Sequence, residues 1–170
     1  MKKALFGLVL AGLFACGASA ADKVRWPAWI AFNDTEDIDV VGFRFNLPSG
    51  QCEQVTGIDL IGLIGRSQYF NGIQLNLLRN DVKDTLNGMQ IGCYNSAGFC
   101  DMLGLQAGFW NESKTFYGFQ VGLVNLADYS KGFQIGLINR AEGLSGYQIG
   151  AINIIRDSKV PFFPIINAGF

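Results

Sequence analysis

Asp59 is the acid best placed to do chemistry, because Arg44 and Gln74 stand fifteen residues to either side of it. In a chain of strands with that repeat, the three would be neighbours on one exposed face. Hydrolysis by paired carboxylates needs a second acid facing the first, and neither neighbour of Asp59 at this spacing is an acid. Asp59 therefore reads as a single charge on a solvated strand, and Asp59→Asn is expected to leave function intact. Asp81, Asp84, Glu112, Asp128, Glu142 and Asp157 are scattered through polar segments and read as solubilising charges. The chain has no histidine, so a serine or cysteine nucleophile lacks its usual base, and no Gly-x-Ser-x-Gly elbow occurs. Strings of Gly-x-Gln-x-Gly look like phosphate-binding loops, but they fall within strands instead of at a strand-to-helix turn. The aspartates that calcium-binding nonapeptides need in each turn are missing. These residues imply no enzyme and no cofactor.

Thiol chemistry is the remaining option. Cys16 lies in an N-terminal leader, while Cys52, Cys93 and Cys100 belong to the rest of the chain. Cys93 and Cys100 could bridge across one turn and leave Cys52 unpaired. Alternatively, Cys93 is a small apolar filler at the position that Leu123 and Leu137 hold in their own repeats. Three scattered cysteines do not match Cys-x-x-Cys spacing, and without histidine no mixed Cys/His zinc set exists.

Residues 1–20 have the three parts of a secretory signal: Lys2 and Lys3, the apolar run Ala4 to Ala15, and Ala18-Ser19-Ala20 before a cut at Ala21. Leu13-Phe14-Ala15-Cys16 offers a second outcome, lipidation of Cys16, although Phe14 is bulkier than the bacterial lipobox usually carries. Either way the protein is expected to be exported, to the periplasm, outer membrane or cell surface. Without residues 1–20 there remain 11 basic and 14 acidic residues, a net charge of −3. No basic stripe is present, which argues against nucleic acid as a partner and against electrostatic attachment to anionic lipid. No apolar run beyond the leader is long enough for a transmembrane helix.

The elements that position these residues are repeats. Gly118–Asn125 reads Gly-Phe-Gln-Val-Gly-Leu-Val-Asn, and it recurs at Gly132–Asn139 and Gly146–Asn153. Looser copies start at Gly104, Gly88, Gly72, Gly57 and Gly42, at intervals of 14 to 16 residues. With the first glycine as position 0, positions 1, 3 and 5 are apolar (Phe119, Val121, Leu123), whereas positions 2 and 4 are mostly Gln and Gly. That alternation predicts a strand with one buried face, apolar side inward and Gln outward. Asn at position 7 suits the end of the strand. Ala97, Ala127 and Ala141 at position 9, with Val55, Leu86, Phe116 and Leu144 at positions 12 to 14, predict a second, smaller inward wall.

The expected fold is all-β: a β-solenoid of about eight units of 14–16 residues over residues 42–159. An N-terminal cap or first strand in residues 21–41 precedes it, and a C-terminal cap strand in residues 160–170 closes it. The alternative is a small up-and-down barrel of the outer-membrane type, with positions 1, 3 and 5 facing lipid. Gln and Asn recur at the same phase in successive units, which favours stacked amide ladders; a meander would send them to alternate ends. Three apolar positions also fall short of a lipid-facing band about 25 Å tall. Phe170 at the terminus suits the barrel, whereas Pro161 and Pro164 suit a cap that blocks further strand addition.

The Gly-x-Gln-x-Gly-Leu-x-Asn repeat, the leader and the Phe-terminated end together resemble bacterial exported surface-repeat proteins, over residues 42–170. The resemblance implies a non-enzymatic surface or envelope protein, structural or an interaction scaffold, and transfers no site residue. The candidate interaction face is the amide column Gln90, Gln106, Gln120, Gln134 and Gln148, for a surface ligand or an envelope protein, unless the amides serve only tight stacking. Membrane association stays open. A solenoid with that face outward is expected to come off in salt or chelator washes without detergent.

Overall fold

The computed structural model describes residues 24–25, 28–31 and 38–170, without the side chains of residues 24, 25, 28, 29, 31, 61, 99 and 100. The predicted leader with Cys16 lies outside the described residues, as do residues 21–23, 26, 27 and 32–37 of the expected N-terminal cap. Six strands follow in order: β1 (Val24–Arg25), β2 (Ala28–Ala31), β3 (Asp39–Asn46), β4 (Ser49–Ile91), β5 (Tyr94–Ile155) and β6 (Phe162–Gly169). With 43 residues, β4 is far too long to be straight; at about 3.3 Å per residue it would reach roughly 140 Å. It winds instead.

Successive coils pair in parallel and at one phase. Gly42 lies beside Gly57 and Arg44 beside Asp59, and one junction later Gly88 lies beside Gly104 and Gln90 beside Gln106. β2 keeps the same register against β3, with Ala28 beside Phe43. β6 runs antiparallel on the last coil, Gln148 opposite Asn167. The chain is a β-solenoid. The barrel alternative is overturned, because a meander would pair successive units antiparallel.

Glycine makes the corner. The eight glycines from Gly42 to Gly146 that open the coils have φ between 115° and 146°, a region that side chains rarely enter. A Cβ on any of the seven from Gly57 onward would overlap the carbonyl oxygen of the glycine in the preceding coil. Only glycine turns the chain here while holding neighbouring coils at sheet spacing, about 4.8 Å.

The interior corrects the expected orientation. Gln90, Gln106, Gln120, Gln134 and Gln148 are all 0% exposed, whereas Phe119, Val121 and Leu123 face outward. The physical reason is mutual satisfaction. Each Gln donates Nε2 to the Oε1 one coil earlier: Gln148 to Gln134 and Gln134 to Gln120 at 2.7 Å, Gln120 to Gln106 and Gln106 to Gln90 at 2.8 Å. The Asn column runs in the opposite sense, Asn95 to Asn111, Asn125, Asn139 and Asn153 in turn, each step at 2.8 Å. Buried amides that are hydrogen-bonded on both sides carry little of the cost of burying an unpaired polar group. The two opposed ladders also set their dipoles against each other.

Position 4 is glycine for the same reason. A Cβ on Gly136 would sit 2.6 Å from Asn125 Nδ2, in space that the Asn ladder fills. The predicted second wall is the apolar part of the core. Val40, Val55, Phe70, Leu86, Met102 and Phe116 pack together there, joined by Ala97, and Ala141 packs with Leu144 nearer the C-terminus. Each coil thus has an amide side and an apolar side facing each other across its lumen.

Candidate functional site

The Gln column changes chemistry in its first coils, where Arg44 and Asp59 stand in the Gln positions. Both are fully buried. Arg44 grips Asp59 with two nitrogens, Nε to Oδ1 at 3.0 Å and Nη2 to Oδ2 at 2.6 Å. Asn46 Nδ2 donates to Oδ1 at 2.6 Å, while Gln74 Nε2 and Asn76 Nδ2 donate to Oδ2 at 3.1 and 3.0 Å. The Asp59 carboxylate accepts five hydrogen bonds inside the coil. The sequence correctly makes Arg44 and Gln74 its neighbours but places all three on a solvated face. Burial acts to lower the Arg44 pKa, and the charge and hydrogen bonds of Asp59 outweigh it, so the guanidinium is held above its usual value. This is a fastening between coils, closed to substrate.

Cys52 lies against the same guanidinium, 3% exposed. Burial pushes its thiol up, against the pull of Arg44. Cys93 is also a free thiol, half-buried on the outward side, and the side chain of Cys100, its possible bridge partner, lies outside the described residues. Alkylation of the native protein is expected to label Cys93 well before Cys52, because Cys52 is both occluded and held protonated. Site-resolved mass spectrometry with and without denaturant checks this. Equal native rates at the two thiols would contradict the buried placement of Cys52.

The loop acids that look scattered in sequence are gathered by the register onto one flank. Asp81, Asp84, Glu112, Asp128 and Glu142 line a cleft of about 620 Å³ with Arg79, Lys83 and Arg140. Several of these charges pair: Arg79 with Asp81 at 3.0 Å, and Glu142 with Arg140 at 2.8 Å and Arg156 at 3.0 Å. Tyr94 donates its hydroxyl to Glu112 at 2.7 Å, and burial together with that carboxylate pushes the Tyr94 pKa up. Among the described residues, no three carboxylates or thiols converge as metal ligands. The flank is charged and internally paired.

A separate flank carries the exposed apolar rows. Position 1 forms an aromatic stack, with Phe119 and Phe133 centroids 5.3 Å apart and Phe133 and Tyr147 5.6 Å apart. Phe170 extends the stack edge-on at 5.8 Å from Tyr147. Position 3 contributes Ile91, Val121, Ile135 and Ile149, and position 5 contributes Leu77, Phe109, Leu123 and Leu137, of which Leu77 is 66% and Phe109 62% exposed. Between these two rows runs a groove of about 1400 Å³, floored by the position-4 glycines Gly92, Gly108, Gly122 and Gly136 and walled by the two rows.

This flank is the feature that sequence reasoning placed inside. A signal for it was present. Position 2 repeats as Gln without variation in five units, whereas position 5 ranges from Ala151 to Phe109. A closed core holds its volumes tightly, so the invariant column is the enclosed one and the variable row is the open one. Set against protein-family models, curated proteins and solved structures, the chain matches none.

Proposed function

We propose that this chain is a non-enzymatic, exported envelope scaffold that works by docking its apolar flank. The observation that carries this reading is the inverted coil: the amides are spent inside on one another, and the exposed outer rows are apolar from end to end. Contiguous apolar patches beyond a few hundred Å² mark interaction surfaces on folded proteins. The leader-like residues 1–20 and the resemblance to bacterial surface-repeat proteins supply the address. Asp59, the best candidate acid in the sequence, is occupied by five donors, which removes the main support for a hydrolase.

Docking through an apolar flank changes the expected fractionation. Expressed from its full sequence in a bacterial host, the protein is expected in the envelope pellet, resistant to salt and chelator washes and released by detergent. Mass spectrometry of the N-terminus distinguishes a cut before Ala21 from lipidation at Cys16, which by itself would anchor the chain. The measurement is therefore repeated with Cys16→Ser. Recovery of that variant as a monomer in the wash would sink the reading.

A further inference from the structure

We propose that the partner of the apolar flank is a lipid bilayer, with the solenoid lying along the membrane surface and its charged flank toward water. This rests on the envelope-scaffold reading and names its partner. Positions 1, 3 and 5 face this side with position 6 at its margin, and over the eight coils these rows contain no charged or amide side chain. The charged cleft around Asp128 and Glu142 begins beyond position 6, on a separate flank, and its lining shares no residue with the apolar groove. That division is the division of a bilayer interface, apolar below and solvated above.

The area is large, and its shape favours a membrane over a second copy. Eight coils at about 4.8 Å make a face roughly 33 Å long. Its exposed large residues keep 36–66% of their surface, and at roughly 150–250 Å² per large side chain they present on the order of 1,500 Å². One partner in a standard interface buries about 800 Å² and one in an obligate dimer about 1,000–2,500 Å², so area alone admits either occupant. The surface also continues past the last coil, because Ile166 of β6 lies beside Ile149 and Phe170 extends the aromatic stack. A rigid twin would have to match ridge to groove over this whole length, whereas acyl chains fill a groove without register.

The margins point the same way. At one edge Lys131 Nζ sits 5.3 Å over the Tyr117 ring. At the other edge, position 6 carries Tyr94 and Trp110, the latter exposed. Amphipathic rings and long cationic stems are the side chains that settle at the headgroup boundary. A peptide in the groove would find apolar walls and no free partners for its backbone. With no basic cluster on this flank, attachment is apolar in origin and independent of anionic lipid.

The test is flotation of the detergent-purified full chain, carrying Cys16→Ser, with vesicles of pure phosphatidylcholine. The protein is expected to float equally in low and high salt, and bromine-labelled acyl chains are expected to quench fluorescence that the Trp110→Phe variant lacks. Leu123→Glu with Leu137→Glu puts two charges into the exposed row and is expected to reduce flotation by at least about tenfold, with an unchanged circular dichroism spectrum. Asp128→Lys, on the far flank, is expected to float as the parent does. A dimer that stays off vesicles would overturn the lipid assignment and leave the docking scaffold standing, with a second copy as its partner. Binding only to anionic vesicles, lost in salt, would also overturn it. A monomer that needs no detergent and binds no vesicle would overturn both readings.

Discussion

Gly132→Ala is expected to abolish the folded solenoid, and Leu137→Ala, five residues later, to leave it nearly unchanged. The added Cβ at Gly132 would overlap the Gly118 carbonyl oxygen and lie 3.0 Å from its carbonyl carbon, on a backbone with φ of 134°. Both neighbours are main chain, so no side-chain rotation relieves the overlap. The coils must separate, and separation breaks the parallel pairing and both amide ladders on each side of the break. The cost is expected above about 4 kcal/mol, the range reached when several such mechanisms coincide, against a typical total stability of about 5–15 kcal/mol. Leu137 is 55% exposed, and its truncation is expected to stay within about 0.5 kcal/mol. Urea denaturation followed by far-ultraviolet circular dichroism in detergent measures both. A loss of about 2–5 kcal/mol at Leu137, as for a leucine in a core, would restore the opposite orientation, with the apolar rows inside.

How far the fold could be read in advance depends on what a repeat records. Same-phase recurrence of Gln120, Gln134 and Gln148 separates stacking from a meander, because only stacked coils bring equal positions together; parallel pairing of Gly42 with Gly57 bears this out. The second wall is equally readable, with Phe116 and Leu144 both in the core. Orientation is harder. Alternation with period two divides a strand into two faces and is silent on which is inside. The usual rule puts apolar side chains within, and it fails here because an amide can be buried cheaply when its copy lies one coil away in hydrogen-bonding reach. The site was hidden by the same step. Once Phe119 and Leu123 are assigned to a core, the flank that they form disappears from view, and Gln120 takes its place as a surface. The charged cleft was missed for another reason: Glu112 and Asp128 become neighbours only through the coil register.

Asp59→Asn is the second substitution with a large expected effect, and it reverses what the sequence suggests. On a solvated strand the change would be silent. In the coil, it removes the charge that Arg44 was buried against and puts an NH2 group where donors already converge. Placed at Oδ2 the new nitrogen meets Arg44 Nη2, Gln74 Nε2 and Asn76 Nδ2; placed at Oδ1 it meets Arg44 Nε and Asn46 Nδ2. Neither amide orientation satisfies the site. Breaking a buried pair from one side costs about 3–5 kcal/mol, whereas replacing both members is often near neutral. The later coils show what the replacement is, a Gln on a Gln. Arg44→Gln combined with Asp59→Gln is therefore expected to recover most of the stability that Asp59→Asn loses, by extending the ladder from Gln74 two coils further. Asn46 and Asn76 keep partners in that variant, since Asn46 Nδ2 also donates to Asn76 Oδ1 at 3.0 Å and Asn76 Nδ2 to Asn80 Oδ1 at 2.8 Å. Urea midpoints of the parent and the two variants decide the matter. If the double Gln variant is no more stable than Asp59→Asn, then the first coils need the ion pair itself, and the amide column is not interchangeable along its length.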